Sequence, residues 1–218
     1  MEKTERKERE YNLRRAEILS HAEEVFAAKG FYKATIAEIA DASGFAVGTL
    51  YQFFESKEQL FSAMVTEKLE IFYGDIKNAV TGKENVIEKI SALVNAHFCF
   101  VEKNVNFCAI LIRREGNSLT EGSNALRNQM VADYLEYIAF IEAIMSEGVG
   151  AKILKGKNPR LMAFALTGMI NAYTFSWINA PGAGSLADMN EMLLDIFLGG
   201  VKNKEGRDKR LRSNGQNR

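Results

Sequence analysis

Hydrophobic positions recur every three or four residues along much of this 218-residue chain. Phe61, Val65, Leu69, Phe72, Ile76 and Val80 form one stripe. Ile87, Ile90, Val94, Phe98 and Val101 form a second, and Met130, Tyr134, Tyr137, Ile141 and Ile144 a third. Such spacing gathers apolar side chains on one face of an α-helix and leaves the polar ones in water. Alternating Val/Thr runs are few and there are two prolines, so the pattern predicts an all-α fold. The clearest loop is Asn117 to Ser123, with Ser118 and Gly122 inside it, and Gly148-Val149-Gly150 with Gly156 marks the next break. Asn158-Pro159 reads as an N-cap followed by proline at the first helical position.

The segment between residues 35 and 60 carries the strongest functional signal. Thr35-Ile36-Ala37-Glu38 is a capping box, in which the threonine hydroxyl and the glutamate carboxylate each satisfy a backbone N–H of the first turn. Ile36, Ile39 and Ala40 then face a core, and Gly44 ends the helix because a tight turn there needs φ > 0. A second short helix, about Val47 to Phe54, buries Leu50 and Phe54 one turn apart and turns Thr49, Tyr51 and Gln52 elsewhere. Gly48 lowers helix stability by about 1 kcal/mol relative to Ala, which points to a close backbone approach. Ser56-Lys57-Glu58-Gln59 is a second capping box that opens a third helix. Two short helices joined by a glycine turn form a helix-turn-helix, a device for placing side chains in a DNA groove.

From Ala16 to Leu60 the sequence resembles the DNA-binding domain of the tetracycline-repressor (TetR) family of bacterial regulators. The resemblance rests on Phe26-Ala27-Ala28-Lys29-Gly30-Phe31, Thr35, Ile39, Ala40, Gly44, Gly48-Thr49-Leu50-Tyr51, Phe54 and Ser56-Lys57-Glu58-Gln59-Leu60, in that order and at these spacings. It implies a three-helix helix-turn-helix DNA-binding domain at residues 1–56, a larger helical effector-binding and dimerisation domain at 57–201, and a tail at 202–218. Two departures from the family pattern occur. Ala46 and Val47 stand where many members carry a hydroxyl or basic residue, and Phe53 where tyrosine is common. Base readout then rests on Thr35, Thr49 and Gln52, with apolar contact from Ala46 or Val47 to a thymine methyl. Tyr51 and Lys57 are the expected phosphate contacts.

Charge alone would not have suggested DNA. Residues 1–60 hold nine Lys and Arg against eleven Asp and Glu, where a nucleic-acid module is more often basic. The case is local instead: Lys33, Lys57 and the Arg14-Arg15 pair lie at helix ends and near the turn. Ten charges among the first fifteen residues exclude a secretory signal, and a cytoplasmic chain is expected. Cys99 and Cys108, in apolar surroundings, read as buried thiols. The tail from Lys202 carries seven basic and two acidic residues and almost nothing apolar, a composition expected to stay disordered.

Leu161 to Ala187 contains no charged residue, yet Thr167, Asn171, Thr174, Ser176, Asn179 and Pro181 are too polar for a lipid span, so no membrane partner is expected. A helix without a charged face is buried on one side by its own domain and on the other by a partner. Ala165, Gly168 and Ala172 form a small-residue stripe, and the next helix offers Met192 and Ile196 among its apolar residues. The family resemblance implies that these helices pair with their copies in a homodimer, which would read a pseudo-palindromic operator. Candidate effector contacts are His97, Asn106, Tyr134, Tyr137, Asn171 and Trp177, set among phenylalanine and aliphatic residues suited to a small hydrophobic or aromatic ligand. His21 and His97 fall in different domains and no Cys-x-x-Cys occurs, so neither metal nor other cofactor is expected. No phosphate loop or nucleophile elbow points to an enzyme. The reading is a ligand-responsive DNA-binding regulator, a repressor released by its effector. The alternative is a helical-bundle interaction protein whose helix-turn-helix touches no DNA, with Thr49, Tyr51 and Gln52 buried or tolerant of change.

Overall fold

The computed structural model describes residues 2–112, 124–156, 158–180 and 184–201. The loop expected at 117–123 and the tail at 202–218 lie outside them. Among the described residues there are nine helices and no strand. They are α1 (Glu2–Lys33), α2 (Ile36–Ser43), α3 (Val47–Phe53), α4 (Lys57–Val80), α5 (Val86–Lys103), α6 (Val105–Ile112), α7 (Asn124–Gly150), α8 (Pro159–Asn179) and α9 (Leu186–Val201). The chain divides into two compact units, residues 1–73 with 103–133, and residues 74–102 with 134–218.

In the first unit α1 begins at Glu2, well before the apolar pattern starts. Its opening turns are held by charge pairing along the helix, as in the Arg6–Glu10 bridge at 3.0 Å. The apolar face arrives with Ile18, Ala22 and Phe26, all essentially inaccessible. Gly30 breaks the helical path at φ 75°, a conformation that costs glycine nothing, and turns Phe31 inward. Phe26, Phe31 and Phe61 then meet as an aromatic trio, with ring centroids 5.0–5.9 Å apart. Leu50 and Phe54 close the same core from α3. Helix α6 packs on α1. Beside it Lys68 joins Glu23 (2.9 Å) and Asn104 (3.0 Å) in a partly buried network. Cys108 is buried here; desolvation, with the Glu23 carboxylate adding to it and Lys68 offsetting part, pushes its thiol up to about 12.

The second unit is packed around Ile90, Leu93 and Val94 of α5, Ile138 and Ile141 of α7, and Leu166 and Ile170 of α8, each fully buried. Gly148 lets α7 come close to its neighbours: a Cβ there would lie 2.7 Å from the Leu154 side chain and 2.9 Å from that of Val86. Asn158 caps α8 by accepting from the Leu161 N–H at 3.2 Å, with Pro159 in the first turn. Helix α9 is tied at both ends. The Glu102 carboxylate accepts from the Ser185 hydroxyl and the Leu186 N–H, each at 2.6 Å. At the other end Lys155 donates from its ammonium to the Gly200 carbonyl (2.6 Å) and from its backbone N–H to Val201 (2.7 Å). Charges of these signs suit the two ends of a helix dipole.

Candidate DNA-reading surface and polar interior

The helix-turn-helix is built from short-range contacts. Thr35 Oγ1 accepts from the Glu38 N–H (3.2 Å), and Glu38 in return accepts from the Thr35 N–H (3.0 Å). The Glu38 carboxyl is held below the usual carboxylate range, first by its bond to Lys29 and then by Thr35. Gly44 sits at φ 71°, where its N–H reaches the carbonyls of Ala40 and Asp41. Ser43, buried, donates back to the Ile39 carbonyl at 2.7 Å. Helix α3 starts at Ala46 without a side-chain cap, so its packing through Leu50 and Phe54 fixes its place. Thr35, Ala46, Val47, Tyr51 and Gln52 are exposed and Thr49 is half-buried. They are therefore not the buried set that the interaction-protein reading allows for.

Lys57 departs from its expected role. Its ammonium turns inward and donates to the carbonyls of Phe31 (2.8 Å), Ala34 (2.9 Å) and Tyr32 (3.4 Å), while lying 4.6 Å from the Phe31 ring centre. An ammonium has three donors and all three are used, so this geometry leaves none for a phosphate. Lys57 instead fastens the end of α1 to the start of α4. The second capping box also differs in detail: Ser56 accepts from the Gln59 N–H at 3.1 Å, but the Gln59 side chain reaches Glu55 rather than Ser56.

Of the six candidate effector contacts, two come together. His97 on α5 and Tyr137 on α7 are both buried, with Nδ1 3.4 Å from the phenol oxygen. Burial pushes the imidazole down to about 4, so it is neutral at pH 7 and can both donate and accept. The other four stand apart. Asn106 belongs to the first unit and is exposed; Tyr134 and Asn171 are exposed. Trp177 is half-buried and spends its indole N–H on the Gly184 carbonyl at 2.7 Å, holding the corner between α8 and α9. The sequence alone does not point to Thr174 Oγ1 and Asn190 Oδ1, buried atoms with no hydrogen-bond partner among the described residues. Thr174 follows only as the next step of the buried series Leu166, Ile170, Thr174.

Ala165, Gly168 and Ala172 lie on the exposed side of α8, opposite Met162, Ala163, Leu166, Thr167 and Ile170. Leu161, Phe164 and Phe175 share that exposure, as do Met192 and Ile196 on α9, at 55% and 56%. Helix α8 is long and apolar enough to cross a membrane by length and composition, with one third of its most apolar window buried. Among the described residues no group of three or more His, Cys, Asp or Glu could hold a metal ion.

An exposed second helix, a left-handed glycine turn and a supporting three-helix core define a DNA-binding regulator of the helix-turn-helix class. Residues 18–64 match the profile of bacterial regulatory proteins of the tetR family, and residues 83–201 match the tetracyclin repressor-like C-terminal domain. The chain belongs to the TetR family, and is a ligand-responsive, DNA-binding transcriptional regulator. The fatty acid metabolism regulator protein of Bacillus subtilis (strain 168) is 25% identical over 189 residues, 86% of this chain and 95% of that protein. The HTH-type transcriptional repressor KstR2 of Mycolicibacterium smegmatis is 24% identical over 201 residues, 88% of this chain and 93% of its own. Among solved structures, FadR from Bacillus subtilis in complex with stearoyl-CoA shares the fold with a TM-score of 0.74 at 22% identity, covering 85% of this chain and 98% of that one.

Proposed function

We propose that the protein is a cytoplasmic, homodimeric repressor that binds a pseudo-palindromic operator and is released by a fatty acyl-CoA thioester. The observation that carries this reading is the exposed face of α3, presented next to the capped helix α2 and its glycine turn. Thr35, Thr49 and Gln52 read bases, Ala46 and Val47 offer apolar contact to a thymine methyl, and Tyr51 binds phosphate. Lys57 supports that face from behind. Residues 1–56 serve DNA binding and residues 57–201 sensing and dimerisation, with 202–218 as a basic tail.

The apolar, small-residue surface of α8 and α9 supports pairing through Ala165, Gly168, Ala172, Met192 and Ile196. The effector class is supported by the stearoyl-CoA complex of the fold neighbour and by a mainly apolar interior in which His97, Tyr137, Thr167 and Thr174 are buried polar residues. His97 and Tyr137 are suited to a thioester carbonyl. Tyr134 and Asn171 contribute at its margin, and Asn106 and Trp177 act in support rather than in contact. Binding shifts the dimer toward a head spacing that no longer fits successive major grooves, which takes a coupling of about 1–3 kcal/mol.

The test is selection from random duplexes with wild type and Tyr51→Ala/Gln52→Ala in parallel, followed by titration of the recovered operator complex with stearoyl-CoA and with free coenzyme A. Wild type alone should enrich a palindrome, and stearoyl-CoA alone should release it. Equal, unselected binding by both proteins would overturn the DNA assignment; release by neither compound would overturn the effector class.

A further inference from the structure

We propose that the N-terminal turns of α1 are a second phosphate-binding element, held beside α3 so that each head covers more of the duplex than its helix-turn-helix alone. This rests on the DNA reading above. Helix α1 starts at Glu2, whereas the match to the family's DNA-binding profile begins at residue 18. The extra turns have almost no apolar content and so no core of their own, but they are not loose from the head. The Tyr11 ring stacks on Phe53 with centroids 4.6 Å apart and planes 29° from parallel. Phe53 follows Thr49 by one turn on the same side of α3, so the extension lies against the flank that continues from a base-reading residue.

The charges around Tyr11 are sorted. Arg15, one turn on, is engaged with Glu67 and lies 5.4 Å from the Phe54 ring centre, which fixes one flank of α1 against α4 and the core. Lys7 and Arg14 lie one turn before and after Tyr11 on the other flank, turned away from α4. Both are exposed and carry no ion pair among the described residues. Arg6, by contrast, is paired with Glu10. Two unpaired cations on one rigid flank, next to the recognition helix, complement a run of phosphodiesters. From Tyr11 the helix reaches about 14 Å further, or roughly four base-pair steps along one strand.

The experiment uses the full chain and the operator recovered by wild type, with binding measured by fluorescence anisotropy over a series of salt concentrations. Removing one cation–phosphate pair lowers the slope of log affinity against log salt by about 0.9. For Lys7→Gln/Arg14→Gln the slope should fall by about 1.8 for each protomer engaged, with the same base sequence selected. Tyr11→Ala, which frees the extension, should lower it as well. Arg9→Gln, on the opposite side of the helix, should leave it unchanged, and circular dichroism should show all three variants folded. An unchanged slope for the double variant would overturn the proposal while leaving operator selection intact. An equal drop for Arg9→Gln would overturn it too, by tracing the effect to diffuse charge. Failure of wild type to select any operator would remove the DNA reading itself and this element with it.

Discussion

The helix-turn-helix and the interior around His97 solve the same problem, polar groups that must be satisfied, over opposite distances along the chain. In the first, partners are near neighbours: Thr35 with Glu38, Gly44 with Ala40 and Asp41, Ser43 with Ile39. In the second they are remote, as with His97 and Tyr137, or Glu102 with Ser185 and Leu186. The local solution leaves the side chains of α3 free to face outward. The remote one buries His97 and Tyr137 and half-buries Glu102, and among the described residues Thr174 Oγ1 and Asn190 Oδ1 meet no hydrogen-bond partner. The turn before the DNA-reading helix is thus set largely by neighbours in sequence, although α3 itself is placed by the packing of Leu50 and Phe54, while the polar contacts of the second unit exist only through tertiary packing.

Four substitutions or conditions press on that difference. Phe61→Ala removes the ring between Phe26 and Phe31 and should destabilise the protein by about 3–5 kcal/mol in urea, the largest effect, because the locally capped head still depends on one aromatic contact. His97 should make stability fall with acid. Its folded value is depressed, so the unfolded chain takes up a proton near pH 6.5 that the folded one refuses until about pH 4. No stability is lost above pH 6.5; below it about 3 kcal/mol should disappear by pH 4, and His97→Phe should flatten that part of the profile. Gly148→Ala forces a methyl group against Leu154 and Val86 and should cost about 1–3 kcal/mol, read as a lower thermal midpoint. Thr35→Ala removes one cap and should cost only about 1 kcal/mol. If Thr35→Ala proved as damaging as Phe61→Ala, the view of the head as a set of small local fixings on a shared core would fail.

Legibility in the sequence follows the same division. The stripe from Phe61 to Val80 is buried at every step, and the caps at Thr35, Gly44 and Asn158 form as their residues predict, since each depends on spacing within a few positions. The small residues Ala165, Gly168 and Ala172 of α8 share one exposed side, as their spacing of three and four predicts. Lys57 was misread because its partners, the carbonyls at the end of α1, lie more than twenty residues away and carry no side-chain signature. Trp177 and Asn171 were grouped with His97 by chemical type, yet neither the indole's bond to Gly184 nor the side of α8 that carries Asn171 can be read from composition. The helical extension before Tyr11 escaped notice for a related reason: its charges gave no apolar periodicity, and the contact that seats it depends on Phe53.

Trp177 is the chain's single tryptophan, and its indole N–H closes the corner between α8 and α9. Nature has therefore placed one intrinsic fluorophore at the hinge of the hairpin that carries the small-residue surface. Its emission wavelength and anisotropy report that corner alone, without an added label and without overlapping signal from the head.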